Sequence, residues 1–293
     1  MRTAFLLFGG LREYWWPTRV SDIKNKIIVP NNADVFMFFD KYSSHCNPHI
    51  KHDCFEYGIY TEDNEYESLQ KLYHPHLKSL YLLQDPTNTN KNDTRTINSY
   101  LITQYIKTKS IQDFKVDFES NSIEESYHKQ YENKIKLILS KFEPWLERLP
   151  MDQKITRTVH IGRITDLYLK ILYCWKLMEE FENNNYFKFD RVIVGRIDML
   201  YEDLDFSPNN DFVYLCRTDD PEHQMDCFYY GNRNLIEKIC TNLINEYGND
   251  LHVVRASMGE HNIAIVIKKS NIPIKWINYL PGNTKFGYKL CKI

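Results

Sequence analysis

Phe189-Asp190-Arg191-Val192-Ile193-Val194-Gly195-Arg196-Ile197-Asp198-Met199-Leu200-Tyr201 decides how the chain is read. Val192, Ile193 and Val194 are β-branched and uninterrupted by polar residues. That is the pattern of a strand covered on both faces in a mostly parallel sheet. Gly195, Arg196 and Asp198 follow at the strand's carboxyl end, the end at which open α/β sheets bind ligands. Side chains at i and i+2 of an extended chain project to the same side, so Arg196 and Asp198 can face one ligand together. A surface salt bridge or a polar turn is the plainer alternative, and spacing alone does not separate the two.

Outward from this segment, strands alternate with helices. Residues 3–8 read as a first strand ending in the turn Gly9-Gly10-Leu11-Arg12, and residues 18–29 as a helix after Pro17. Residues 33–39 form a second strand that stops at Asp40. Residues 66–78 read as helix, followed by a third strand near 80–83. This alternation implies parallel pairing through right-handed crossovers. Residues 84–122 are polar and lack a sustained period, which suggests an insertion or loop. Apolar residues at helical spacing mark helices over 135–149 and 164–181. Beyond Asp198, strands are expected near 212–216, 226–230 and 273–279, with helices near 233–247 and 258–268. No repeat and no linker divides the chain, so a single α/β domain is expected over residues 1–293.

Composition narrows the classes. The chain has 293 residues, 43% hydrophobic and 26% charged, enough for a sizeable core. A formal charge of −2 offers no global attraction for nucleic acid or an anionic membrane. No apolar run approaches the roughly 20 residues of a membrane span. Seven scattered cysteines fit reduced thiols and a cytoplasmic setting better than a disulfide framework.

Four pieces, in order along the chain, carry a resemblance. They are the first strand with Gly9-Gly10-Leu11-Arg12 and nearby Trp15 and Trp16; Ala33-Asp34-Val35-Phe36; Phe189-Asp190-Arg191-Val192-Ile193 with Arg196-x-Asp198; and Asp226-Cys227-Phe228-Tyr229-Tyr230-Gly231. Together they resemble the GT-A-type glycosyltransferases of bacterial surface-polysaccharide clusters and large DNA viruses. The resemblance implies a Rossmann-like GT-A fold, a mostly parallel central sheet flanked by helices. Residues 1–200 would bind the nucleotide sugar and 201–293 the acceptor. It implies an enzyme of the hexosyltransferase class, transferring sugar from a nucleotide-diphosphate donor to a hydroxyl of a glycan or glycoconjugate, in the cytoplasm (the host's, if viral).

In that family an Asp-x-Asp pair holds a divalent cation against the diphosphate; here Arg196 takes the first position. Two consequences stay open. Asp198 can still hold Mg²⁺ or Mn²⁺, which need oxygen ligands, or the Arg196 fork can neutralise the diphosphate with less need of metal. Gly9, Gly10 and Arg12 would admit and pair a phosphate, where the ordinary alternative is a strand-ending turn. Asp40 is a candidate for ribose or base, and Arg163, placed near the start of the long helix, for the diphosphate. Inversion requires a carboxylate to take the acceptor's proton; Asp226 and Glu260 are the candidates, although Glu260 also suits a helix start. The resemblance adds His261 as a candidate metal ligand or diphosphate contact.

His45, Cys46, His49, His52 and Cys54 are zinc-capable types in one short segment, without a standard finger spacing. Two rival readings compete. One is a degenerate GT-A fold that binds nucleotide or glycan without turnover, which Arg196 in place of an aspartate favours. The other is a sugar-phosphate nucleotidyltransferase, for which the Gly9–Arg12 turn is a weak phosphate loop.

Overall fold

The first two strands hold almost nothing but apolar residues, and the fold buries them on both sides. In the computed structural model, which describes residues 1–10, 17–40, 43–45, 56–59, 65–83, 123–197, 201, 211–217, 224–247, 249 and 259–277, the chain begins with β1 (Thr3–Gly10). A helical stretch follows: α1 (Pro17–Asp22), a π-helical segment (Ile23–Ile28) and the short α2 (Val29–Asn31). It ends at Asn32, whose φ of 44° turns the chain into β2 (Ala33–Asp40). A separate antiparallel pair, β3 (Ser43–His45) and β4 (Glu56–Ile59), precedes α3 (Glu65–Tyr73) and β5 (Leu77–Leu83). Two long helices follow, α4 (Ile123–Leu146) and α5 (Met151–Asn184), then β6 (Arg191–Arg196). The chain continues through β7 (Val213–Arg217), β8 (Gln224–Asn232), α6 (Arg233–Glu246), α7 (Gly259–Lys269) and β9 (Ile274–Ile277).

The expected α/β class is present. Among the described residues, seven strands form one mixed sheet in the order β5-β2-β1-β6-β8-β7-β9. β5, β2, β1 and β6 are mutually parallel, β8 is antiparallel to both β6 and β7, and β9 is parallel to β7. Strand alternation assigns side chains to two cores. Ala4, Leu6, Phe8, Phe36, Phe38, Val192 and Val194 face α4, α5, α6 and α7. Phe5, Leu7, Val35, Met37, Phe39 and Ile193 face Ile23, Ile27 and Ile28 of the π-helical segment and Leu69 and Tyr73 of α3. The sheet is therefore helix-covered on both faces. Val192, Ile193 and Val194 are fully buried, as their run of apolar residues requires.

Both long helices start earlier than the sequence suggested, at Ile123 and Met151. Helix α5 is wedged between the sheet, α4 and α6, so Thr158, Thr165 and Lys170 are buried beside Leu169 and Trp175. A helix covered on several sides loses the single apolar stripe that periodicity detects. Helix α3 stops at Tyr73, short of the expected 78, because Leu77 already begins β5. The expected 84–122 insertion lies outside the described residues. Among the described residues no helix is long and apolar enough to cross a membrane.

A buried ion pair joins the end of α5 to the starts of β6 and α6. The Glu182 side chain has 0% exposure. Its carboxylate accepts from the Phe189 amide (2.9 Å), from Arg233 Nε (2.9 Å) and Nη2 (2.8 Å), and from Lys188 Nζ (3.0 Å). Burial pushes the Glu182 carboxyl up, but the bonds from Arg233, Phe189 and Lys188 outweigh it and hold the group below its usual 4.5. Removing one partner of such a pair strands the other charge. Glu182→Ala is therefore expected to cost about 3–5 kcal/mol in urea unfolding at neutral pH. Because the folded pKa is depressed, this contribution is complete above 4.5 and fades as the pH falls through the lower folded value. The gap between variant and wild type should close there.

Candidate functional site

The order of strands singles out one edge of the sheet as the expected ligand-binding position. From β1 the chain winds outward through β2 to β5, then crosses back to the other side of β1 as β6. Ligands of open α/β sheets bind outside the carboxyl ends of the strands at such a reversal. Here that point is the end of β1 beside the end of β6, where Phe8 pairs with Arg196. Gly10 pairs with Asp40 on the other flank of β1.

Several residues singled out from sequence share this edge. Gly9 and Gly10 end β1, Asp40 ends β2 and Arg196 ends β6. Asp226 lies in β8 two residues before Phe228, which pairs with Gly195; because β8 is antiparallel, its beginning meets the end of β6. Glu260 and His261 are in the first turn of α7. A tight turn, with the Ile272 amide bonded to the Ile267 carbonyl at 3.0 Å, joins α7 to β9, so the helix runs back along that strand. Its start therefore lies toward the carboxyl ends of β7 and β9, the same edge of the sheet. Helix amino termini favour negative charge.

Arg163 departs from expectation. It lies well inside α5 rather than at its start, and it is exposed. Cys174 fixes the helix against the sheet through the carbonyls of Leu7 (3.6 Å) and Phe36 (3.3 Å).

Arg12 and Asp198 lie outside the described residues, as do the side chains of Asp40, Asp226, Glu260 and His261. The potential zinc ligands Cys46, His49, His52 and Cys54 also lie outside them, and His45 is described only as backbone in β3. His76, further along the chain, lies with its Nδ1 3.2 Å from the Ala33 carbonyl. Among the described residues no group of three or more His, Cys, Asp or Glu is placed to hold a metal.

Sequence reasoning assigned no role to Gly195 or Tyr201. Tyr201 is buried, and its hydroxyl donates to the Arg196 carbonyl at 2.6 Å. A Cβ on Gly195 would lie 2.5 Å from that hydroxyl oxygen and 2.9 Å from the Phe5 ring. The available signal was a lone glycine interrupting a β-branched strand, which marks a close approach of another group. At the opposite edge, a cavity of about 380 Å³ is lined by Lys188, Phe189, Asp190, Asn232, Arg233 and Asn234. Its Arg233 is already committed to Glu182, Glu179 and Glu237.

Two glycine substitutions should separate sterics from backbone strain. Gly195→Ala meets Tyr201 and Phe5, and overpacking of this kind costs about 1–3 kcal/mol. Gly9→Ala meets nothing within 4 Å but must adopt a φ of 125°, at a similar cost of about 1–3 kcal/mol from strain alone. Urea unfolding with a paired Tyr201→Phe background distinguishes them: relief of the Gly195→Ala loss, but not of the Gly9→Ala loss, is expected. Neither a protein-family model nor a curated protein matches this chain.

Proposed function

We propose that the protein is a glycosyltransferase of the hexosyltransferase class. It moves a sugar from a nucleotide-diphosphate donor to a hydroxyl of a glycan or glycoconjugate acceptor, with inversion at the anomeric carbon. The observation that supports this most is the reversal of strand order at β1 and β6, with Gly9, Gly10, Asp40, Arg196 and Asp226 all at that edge of the sheet. The GT-A resemblance of the same segments gives the crevice its ligand class.

Each residue then has a task. Gly9 and Gly10 let main chain approach the phosphates, and Arg12 and Arg196 meet their charge. Asp40 is assigned to the ribose or base. Asp198, with His261 as a second donor, would hold Mn²⁺ or Mg²⁺; a carboxylate suits either ion. A cation there would add to the neutralisation of the departing diphosphate. Asp226 accepts the proton of the acceptor hydroxyl as its oxygen attacks the anomeric carbon, with Glu260 as the alternative base. Preorganised charge facing the leaving group is usually the largest catalytic contribution. The arginine in place of the first aspartate favours a second reading, a fold that binds nucleotide sugar without turnover.

A thermal-shift screen of uridine, guanosine and thymidine diphosphate sugars, with and without Mn²⁺, tests donor binding. A bound donor at a hundred times its dissociation constant adds about 2.7 kcal/mol. Asp198→Asn should abolish transfer and change stability by no more than about 0.5 kcal/mol. Full transfer by that variant contradicts its assignment. Tight binding by wild type, with neither hydrolysis nor transfer, selects the second reading.

A further inference from the structure

The chain beyond β6 folds back onto the strand it has just left. Tyr201 is 1% exposed, and its ring lies edge-on to Phe5 (6.2 Å between centroids) and to Phe228 (5.5 Å). Its hydroxyl donates to the Arg196 carbonyl at 2.6 Å, and its own carbonyl accepts from Lys26 Nζ at 2.8 Å. Lys26 belongs to the π-helical segment, and Asp22 lies 3.1 Å from the same ammonium. β1 and β8 thus meet on one side chain, a helix holds the main chain of the same residue, and the side chain in turn holds the main chain of the last β6 residue. Gly195 leaves the room this requires. The β1–β6 pairing ends at Phe8 and Arg196, so the carbonyl lies where the ladder stops and local order depends on other bonds.

We propose that Tyr201 is a positioning residue. Its hydroxyl fixes the backbone at Arg196 and so the direction in which β6 presents the guanidinium to a nucleoside diphosphate. The role rests on the reading of this edge as a diphosphate site. Tyr201 acts through Arg196 and does not itself touch the ligand. The competing account is a core tyrosine whose hydroxyl only completes hydrogen bonding. Phenylalanine at this position separates the two, because it keeps the ring contacts with Phe5 and Phe228 and deletes only the donor.

Two measurements on the full chain decide the matter. Backbone amide exchange at 25 °C should quicken in Tyr201→Phe across 196–201 and stay at wild-type rates in β1, β2 and α5. Unchanged exchange across 196–201 overturns the tie whether or not a ligand binds. Titration with uridine diphosphate and Mn²⁺, well below the unfolding midpoint, should show Tyr201→Phe about tenfold weaker than wild type, the worth of roughly one aligned hydrogen bond. In an Arg196→Met background the same change should have no further effect, because positioning acts through the guanidinium. A lower unfolding midpoint with an unaltered dissociation constant marks a purely structural role and overturns the proposal. An equal loss in both backgrounds also overturns it. A wild-type chain that binds no nucleoside diphosphate instead defeats the reading of the edge, and with it the role assigned to Tyr201. Exchange then reports the tie alone.

Discussion

β6 is hydrogen-bonded along both edges, parallel to β1 and antiparallel to β8, with Val192, Ile193 and Val194 sealed from water on both faces. A strand held in this way cannot slip by one residue. A slip would exchange Val192 and Val194, which face α4–α7, with Ile193, which faces the π-helical segment and α3. It would also carry Gly195 out from beneath the Tyr201 hydroxyl and replace it with a side chain that does not fit. The register of one short strand therefore determines where Arg196 emerges at the sheet edge.

Anchoring at the far end of the strand reinforces this. The Asp190 carboxylate accepts from the Arg2 amide at 2.7 Å, and the buried Glu182–Arg233 pair sets the spacing between α5, the approach to β6 and the start of α6. At the exit, Tyr201 and Lys26 tie the chain back to the opposite face. The strand is thus tied at both ends, while its last residue, half-buried Arg196, stands at the carboxyl edge of the sheet beside the end of β1. Functional groups presented from a rigid strand keep their geometry better than groups carried on a free loop.

Much of the sheet was legible because its strands are short, almost wholly apolar runs. Ala33–Phe39 and Val192–Val194 admit few other readings. The fold-back of Tyr201 was hidden, since a buried aromatic after a strand has no local signature and its partners, Phe5, Lys26 and Phe228, are far away in sequence. The placement of β8 between β6 and β7 was equally hidden, because pairing order depends on long-range packing. Helix α5 concealed its first half because Thr158, Gly162 and Thr165 are buried there without forming an apolar stripe. The shared position of Gly9, Gly10 and Arg196 at one edge was anticipated from strand-end chemistry. The position of Arg163 well inside α5 was not, because the first half of that helix carries no apolar stripe.

A crystal structure of the protein with uridine diphosphate and Mn²⁺ tests the central claim most directly. The account predicts the diphosphate outside the carboxyl ends of β1 and β6, within hydrogen-bond reach of the main chain at Gly9 and Gly10 and of the Arg196 guanidinium. A nucleotide bound at the opposite edge, in the cavity between Lys188 and Asn234, would contradict it, as would a crevice at β1 and β6 that stays empty under saturating ligand.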